Sequence, residues 1–481
     1  MVKTSPLVCL VLSPLLGHCI VGAAQTAPPT SNAPWHSSAE RSLARDLAAH
    51  PEPKVDIDPG KRYSLAELVD LAEQHNPETR TVWNEAKSRA ASLGIARSAL
   101  YPTISAVALA VSLRQAALIG EYFHRQTEGI FEPFLHVEYL VFDFGERSGA
   151  IDAAKADLLA SDLAFNDTHR KIIFAVSAAY YRLLNAEGQR GAAQASLENA
   201  KTVEESVENR LTNGLATKPD QLEAAAARAQ SEFDLQAAIG AVDIAGGDLA
   251  TAIGLPPGAP LQVESVDALK MPADLADSVD AEIERAFRQR PELLEQMARV
   301  RSTDASIRQA RSSYFPALAF QGDGGLARAY GQQDLFPGHY AQGEVWTAEL
   351  QLKWTLFDGA RREYEIARAK SEKRAAEAAI DSLRDQISNE VWTSYANMRT
   401  ALRQQQAAQA LLTASQQSYE AAHDAYGYGV RNLVDVVSAQ KTLAQARSED
   451  IFARTQLLLA VADTAFRTGD LLQIPPAKAV P

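Results

Sequence analysis

Residues 213–220 have the sequence Asn-Gly-Leu-Ala-Thr-Lys-Pro-Asp, and residues 428–435 have the sequence Tyr-Gly-Val-Arg-Asn-Leu-Val-Asp. Each segment separates two long amphipathic stretches. Its glycine can adopt the left-handed conformation that ends a helix. Three residues later, Thr217 or Asn432 can cap the next helix, with Asp220 or Asp435 at the third helical position. The pattern predicts two helical hairpins, whose turns we call tip 1 (213–220) and tip 2 (428–435).

The two tips belong to a larger internal duplication. Tip 2 begins 215 residues after tip 1, and other features recur with conserved separations. These separations are 25 residues for Pro77 to Pro102 and Pro291 to Pro316, and 71 residues for Asp143 to Gly214 and Asp358 to Gly429. Separations kept over such lengths predict two copies of one structural unit, at 63–266 and 267–474, followed by a short C-terminal tail at 475–481.

Helical periodicity dominates both units. The long helices predicted at 146–212 and 360–427 would form rods of roughly 100 Å, at about 1.5 Å per residue. Shorter helices are predicted at 77–100, 218–253, 291–313 and 432–469. The first two of these together match the length of a long rod. We therefore expect each unit to pair one continuous helix with two stacked shorter ones.

A period of two, typical of strands with one apolar face, appears between the helices. Strands are predicted at about 103–116, 133–143, 316–328 and 344–357, with long polar loops at 114–132 and 327–344. Trp346 and Trp354 lie eight residues apart, about 26 Å along a strand. That distance is close to the height of the apolar belt between the aromatic girdles of outer-membrane strands, so both tryptophans are predicted to form part of a girdle.

The strands are the elements that could enter a membrane, because no segment after residue 24 is apolar for long enough to form a transmembrane helix. Four strands cannot close a barrel, and an open edge is not tolerated in hydrocarbon. Two chains would supply eight strands and three would supply twelve. A soluble sheet remains the alternative, because it would show the same alternation. The expected fold is mainly α with a β-barrel portion.

The N-terminus is predicted to direct export. Residues 1–24 combine a charged start, an apolar run and small residues for cleavage, as in a secretory signal peptide. The only cysteines, Cys9 and Cys19, lie within this segment, and the bulky His18 argues against lipid attachment at Cys19. Residues 25–62 contain six prolines and little apolar sequence, which predicts a flexible or surface-draped leader.

Composition disfavours several functions. A formal net charge of −13 argues against nucleic-acid binding. The histidines show no pair at ligand spacing on one helix face, so no metal site is expected. The sequence also lacks a phosphate-binding loop and a serine nucleophile elbow. We therefore expect neither an enzyme nor a bound cofactor.

The duplicated order of helix, strands ending in Phe-Asp, long helix, glycine-bearing tip and return helix resembles the TolC-like outer-membrane efflux proteins. The resemblance covers about residues 63–474 and is most specific over 426–440. It implies a homotrimer with a twelve-stranded barrel in outer-membrane lipid of a Gram-negative-type cell, continued by a periplasmic α-helical barrel. It also implies an exit duct that works with a periplasmic adaptor and an inner-membrane pump in drug efflux, cation efflux or type I secretion.

The resemblance also suggests functional residues at the tips. The family closes its channel there, which assigns Asp220, Tyr426, Arg431 and Asp435 to a periplasmic gate; the alternative is that both aspartates only cap helices. Pro219 and Ser438 depart from the family pattern, so a looser or less cation-sensitive closed state is expected. The exposed residues predicted to contact the adaptor are Gly214, Leu215, Ala216, Gly429 and Val430.

A rival function is a periplasmic coiled-coil tether or adaptor with a soluble sheet. An adaptor would be expected to carry a lipoyl-like or small barrel segment beside a single helical hairpin. The hairpin here is duplicated, and the paired tryptophans favour a membrane sheet, so the sequence favours the duct.

Overall fold

The computed structural model describes residues 31–32, 36, 38–49, 57–58, 60–119, 121–264, 278–333 and 338–471. The predicted signal peptide at 1–24 and the predicted tail at 475–481 lie outside these residues. The chain forms two units, 1–56 and 57–481. In the first unit, helix α1 occupies Ser38–Ala48, within the leader that we predicted to be flexible or draped on the surface. Residues 38–48 form a helix because they contain no proline and are rich in helix-forming Ala, Arg, Leu and Glu.

The second unit contains two series of elements in the same order, with matching lengths except that β3 has 21 residues and β6 has 15. The first series is β1 (Arg62–Tyr63), α2 (Leu65–His75), α3 (Pro77–Ser98), β2 (Thr103–Ile119), β3 (Tyr122–Phe142), α4 (Glu146–Thr212) and α5 (Lys218–Ile253). The second series is β4 (Gln262–Val263), α6 (Val279–Gln289), α7 (Pro291–Ser312), β5 (Ala317–Gln333), β6 (His339–Lys353), α8 (Arg361–Gly427) and α9 (Leu433–Thr468). The short strands β1 and β4 pair with each other in parallel.

Helices α4 and α8 have 67 residues each, and α5 and α9 have 36 each, close to the predicted bounds. Both α3 and α5 pack along α4, and their ends meet. Asn76 caps α3 through the Glu78 amide at 2.8 Å and donates to the carbonyl of Ala252 near the end of α5 at 3.0 Å. The predicted stack of two shorter helices beside one long helix is therefore present.

The four long strands form one antiparallel sheet in the order β2-β3-β5-β6. Both β2–β3 and β5–β6 continue as ladders through most of the segments that we predicted to be polar loops, 114–132 and 327–344. That prediction is wrong because residues 122–129 show no alternation: Tyr122 and Phe123 are both aromatic, and residues 124–128 are polar on both faces. Ladder hydrogen bonds involve the backbone, so they do not require an apolar face.

Strand β6 ends earlier than predicted, at Lys353 rather than near residue 357. Trp354 lies one residue beyond the strand, and its indole nitrogen donates to the carbonyl of Tyr314 at 3.1 Å. The carbonyls of Thr355 and Leu356 accept hydrogen bonds from Arg362 at 2.8 and 3.2 Å. At this end of the sheet, these two carbonyls are therefore paired with an arginine side chain instead of with a neighbouring strand.

The repeated Phe-Asp motif forms the turn from sheet to long helix. The carboxylate of Asp143 accepts from the backbone nitrogen of Arg147 at 2.9 Å and from its Nε at 2.8 Å. These bonds hold the pKa of Asp143 below its usual value, although burial acts in the opposite direction. Asp358 and Arg362 form the equivalent pair at 2.9 Å in the second half. Within the residues that the structure describes, no helix is both long and apolar enough to cross a membrane.

Candidate functional site

Tip 1 connects α4 to α5 through a left-handed glycine and a reciprocal cap. Gly214 has φ +71°, and the amide of Leu215 donates to the carbonyl of Arg210 at 2.7 Å. The Asp220 carboxylate accepts from the backbone nitrogen of Thr217 at 2.8 Å and from its hydroxyl at 2.7 Å. The Asp220 amide completes the capping box by donating to the Thr217 hydroxyl. The predicted helix cap is thus present at tip 1.

Tip 2 has the same backbone path but only half of the capping box. Gly429 has φ +73°, and the Asp435 amide donates to the Asn432 side chain at 3.0 Å. The Asp435 carboxylate instead faces Arg431, with 3.7 Å between the charged atoms. Both side chains of this pair are substantially exposed, so water screens their attraction.

Arg210 connects the two tips. It lies in the last turn of α4, and its Nη1 donates to the carbonyls of Tyr426 and Gly427 at 2.9 and 3.3 Å. Its guanidinium carbon is 4.6 Å from the centre of the Tyr426 ring, within the range of a cation–π contact. Helix α8 has no basic residue in its own last turn, so Arg210 supplies the positive charge at its C-terminus.

Sequence analysis did not identify Arg210 as a site residue. Its sequence signal is a basic residue in the last turn of a helix, which is common at helix C-termini. The carbonyl that it binds is 216 residues away, so the sequence alone does not pair the two. We call the contact of Arg210 with Tyr426 and Gly427 the inter-tip latch.

The structure places the four predicted gate residues in different environments. Tyr426 is buried, whereas Arg431 is exposed and Asp220 and Asp435 are partly buried. Burial raises the pKa of Tyr426, and the nearby negative charge of Asp220 adds to this rise. The tyrosine packs in an apolar cluster between the hairpins, formed with Val203, Val207, Ala224, Tyr419, Leu433, Val436 and Leu443.

The residues predicted to contact an adaptor are exposed with one exception. Leu215 is 67% exposed and Val430 is 78% exposed, and both glycines are also accessible. Ala216 is only partly accessible, because its methyl group packs against the apolar cluster between the hairpins. Tyr428, which sequence analysis did not select, is 87% exposed and adds an aromatic ring to this surface.

The pH is expected to control the cap of tip 1. Hydrogen bonds from the Thr217 side chain and then from its backbone lower the pKa of Asp220. A lowered pKa means that the ionised carboxylate stabilises the cap above its ordinary pKa, near 4, and that this stabilisation is lost as the pH falls through the folded-state pKa. We expect Asp220→Asn to weaken protection of the first turn of α5 at pH 7. The difference from the native chain should be smaller at pH 3, which is below the ordinary pKa.

Hydrogen exchange followed by mass spectrometry, corrected for intrinsic rates, measures this difference. Thr217→Val keeps the shape of the side chain but removes the hydroxyl, and it should reproduce part of the loss at pH 7. A loss of protection in Asp220→Asn that is equally large at both pH values would show that charge is not the cause.

The two predicted girdle residues are both exposed. Trp346 lies within β6 and is 78% exposed, and Trp354 follows the strand and is 57% exposed. Among the described residues, no group of three or more His, Cys, Asp or Glu side chains could hold a metal ion.

Comparisons with known proteins agree with this arrangement. The family described as "Outer membrane efflux protein" matches the chain twice, over residues 68–255 and 283–469. Protein CyaE of Bordetella pertussis is 27% identical over 415 residues, which cover 82% of this chain and 81% of CyaE. Outer membrane protein OprJ of Pseudomonas aeruginosa is 27% identical over 409 residues, which cover 83% of this chain and 82% of OprJ.

Among solved structures, the CmeC outer membrane channel of Campylobacter jejuni superposes with a TM-score of 0.73 at 18% identity. The match covers 88% of this chain and 90% of CmeC. The family match and the curated relatives therefore identify the chain as an outer-membrane channel with a periplasmic helical portion. The chain belongs to the outer membrane efflux protein family, whose members are transport channels rather than enzymes.

Proposed function

We propose that this protein is the outer-membrane exit duct of a tripartite efflux or type I secretion system, and that it works as a homotrimer. The observation that carries the proposal is the open sheet, in which β2 and β6 form the two edges of the described chain. Open edges are costly in hydrocarbon, because their backbone groups cannot bond to water. A second copy of the chain can satisfy them.

Strand direction permits such closure. Neighbouring strands in the order β2-β3-β5-β6 alternate in direction, so β6 of one copy can pair antiparallel with β2 of the next. Four strands per chain fall short of the roughly eight with which single-chain barrels begin. Three copies give a barrel of twelve strands, with outer-membrane lipid around it.

The helices continue the duct. Each chain contributes α4 and α8 as rods of 67 residues, about 100 Å long, and two stacks of shorter helices beside them. This length is suited to crossing the periplasm. The tips lie at the ends of the rods remote from the sheet, which makes them the proposed gate and the proposed contact for an adaptor driven by an inner-membrane pump.

Closure at the tips is proposed to depend on two kinds of contact. Within one chain, the inter-tip latch of Arg210 holds the end of α8 against the end of α4. At the surface, Asp220, Arg431 and Asp435 are accessible enough to contact another copy. Movement of one hairpin away from the other would have to break the latch, so the latch resists opening.

Leu215→Asp is expected to reduce export at least tenfold while leaving the trimer intact. Leu215 is an exposed apolar side chain, and its burial against an adaptor would contribute about 1.5–3 kcal/mol. An aspartate would forfeit this contribution and place a charge in the contact. Export of a pump substrate from cells that carry the variant measures the effect.

Leu215→Met is the matched control, because it preserves apolar area and should preserve export. Both variants should migrate as trimers after extraction. Normal export by Leu215→Asp would rule out an apolar adaptor contact at this residue.

The test of the duct itself is the mass and conductance of the full-length protein. Light scattering after detergent extraction of outer membranes should give three times the mass of the exported chain, and planar bilayers should show discrete channels. A monomer recovered from the soluble periplasmic fraction would contradict the proposal and favour the tether.

A further inference from the structure

The two faces of the four-stranded sheet carry charges of opposite sign. Residues that pair directly across antiparallel strands lie on the same face, so the register assigns every strand position to a face. One face, which we call the acidic face, bears the carboxylates of Glu128, Glu132, Glu138, Asp323 and Glu349, with Lys353 as its one lysine or arginine among the described strand positions. The other, the arginine face, bears Arg114, Arg125 and Arg328, with Glu344 as its one carboxylate among the described strand positions.

The arginine face is also the apolar face. On this face, the β3 positions from Phe131 to Tyr139 carry no charged side chain. They span about 26 Å of strand. The same face presents Trp346 and Leu350 of β6 at this height, since they pair with Gly324 and Phe320 of β5. With the strand tilt of about 40° that such barrels have, this length of strand rises about 20 Å, which is most of the roughly 25 Å apolar band of outer-membrane strands.

The three arginines lie at one end of this band. Arg328 pairs with Phe131, the last uncharged β3 position of the band. Arg114 pairs with Thr127, which is four residues closer to the β2–β3 turn, and Arg125 is two residues closer still. All three side chains are exposed. This end is the one remote from the helices, because α3 leads into the opposite end of β2 and α4 leaves the opposite end of β3. With the helices in the periplasm, the arginines lie toward the outer leaflet.

Arginine has the chemistry that recognises phosphate at a lipid surface. Its planar guanidinium forms paired hydrogen bonds to phosphate oxygens and keeps its charge at any physiological pH. This face carries three arginines, whereas the chain as a whole has a formal net charge of −13. An acidic protein is repelled by an anionic leaflet, so a local excess of positive charge at the headgroup level offsets that repulsion.

We propose that Arg114, Arg125 and Arg328 form a binding surface for the phosphate groups of anionic lipids in the outer leaflet. The inference rests on the proposed function, because it requires the arginine face to be in lipid. In a trimer the surface would recur three times around the barrel. The acidic face would then line the interior.

The test compares lipid binding by the full-length protein in detergent with that of two triple variants. Native mass spectrometry measures retention of lipid A, a glycolipid with two phosphates, against phosphatidylethanolamine and inorganic phosphate. In the first variant, R114Q/R125Q/R328Q, the apparent affinity for lipid A should fall roughly 100-fold, at about fivefold for each charge removed. The control R299Q/R361Q/R368Q removes three exposed helix arginines and should bind lipid A like the native chain.

Replacement by lysine separates charge from loss of folding. R114K/R125K/R328K should retain most of the affinity, because the positive charges remain. Unchanged lipid A binding in the glutamine variant would overturn the proposal, as would an equal loss in the helix control. Binding of inorganic phosphate that competes with lipid A at equal concentration would identify a general anion site instead.

Conductance in a neutral planar bilayer tests the proposed channel function independently of the proposed lipid-binding surface. Native protein and the R114Q/R125Q/R328Q variant should conduct equally, because the arginines are assigned to the outer surface. Absence of channels in the native protein would contradict the duct. Native channels combined with unchanged lipid A binding by the variant would contradict the lipid surface alone.

Discussion

Replacing Arg210 with alanine is expected to raise the open fraction of the channel at rest by about 10- to 150-fold. The side chain donates to two carbonyls at the end of α8 and lies over the Tyr426 ring. A hydrogen bond to a charged group contributes about 1.5–3 kcal/mol, which corresponds to that range of equilibrium constants. Loss of the latch leaves the C-terminus of α8 without this basic partner. Single-channel recording in planar bilayers measures the open fraction.

The exposed pair of tip 2 provides a matched control. Arg431→Ala also removes one arginine charge at the tips, but its partner Asp435 is 3.7 Å away and both side chains are exposed. Such pairs contribute about 0–1 kcal/mol, so the open fraction should change by less than about fivefold. Arg210→Lys should give an intermediate open fraction, because lysine keeps the positive charge but lacks the planar guanidinium and its several N–H donors.

These three variants separate two mechanisms of closure. If Arg210→Ala opens the channel most, closure depends on contacts within one chain. If Arg431→Ala opens it as much or more, closure depends on the exposed side chains, which can reach another copy. Light scattering should show trimers for all three, since none of the substitutions lies in the sheet or between its edges.

The helices of the two hairpins could be predicted closely from sequence because their ends are fixed by nearby residues, whereas α2 and α6 were not predicted. The prediction 146–212 for α4 matches Glu146–Thr212, and that for α5 matches Lys218–Ile253. Gly214 ends one helix by its left-handed conformation, and Thr217 with Asp220 begins the next. The residues that fix these boundaries lie within three or four positions of one another, so the boundaries can be predicted from the sequence.

The strands were predicted less completely because alternation stops where both faces are polar. Residues 122–129 belong to β3, although their side chains do not distinguish one face from the other. The sequence of β2 also did not show which face of the sheet each of its residues lies on. Val107 and Leu109 pair with Phe134 and Glu132, so these apolar residues lie on the acidic face. Only the register reveals this, and the register depends on the partner strand.

The candidate site could be located from sequence but not resolved into its contacts. Both tips were predicted, together with their exposed leucine and valine. The link between them was not, because Arg210 and Tyr426 are joined only by folding. Ala216 illustrates the same limit, since it was selected for its loop position and instead packs against the apolar cluster.

Arg170→Met is expected to reduce the free energy of unfolding by about 3–5 kcal/mol, the usual cost of breaking a buried ion pair from one side. Arg170 is fully buried in α4. Its guanidinium donates to Asp167 at 2.6 Å and to the carbonyl of Phe466 in α9 at 2.7 Å, and it also pairs with Glu292 in α7. One side chain therefore joins three helices that are distant in sequence.

The cost arises from the carboxylates that remain. Burial tends to raise the pKa of Glu292, but hydrogen bonds from Arg290 and the charges of Arg170 and Arg290 hold it below its usual value. Methionine fills much of the arginine volume without a charge. Among the described residues, Glu292 then keeps Arg290 as its partner and Asp167 keeps Lys171. A buried carboxylate with less compensation is costly to keep ionised.

Urea denaturation of the detergent-solubilised protein, followed by helical circular dichroism, measures the change. Arg288→Ala is the control, because Arg288 forms an exposed pair with Glu284 in α6, and it should cost less than about 1 kcal/mol. The variant R170M/E292Q, which neutralises one partner as well, should recover part of the loss, since a neutral amide tolerates burial better than an unpaired carboxylate. Equal losses in Arg170→Met and R170M/E292Q would show that lost packing, rather than uncompensated charge, accounts for the effect. The recovery therefore tests whether Arg170 fixes α4, α7 and α9 through electrostatics, which would hold the rods as one body while the tips move.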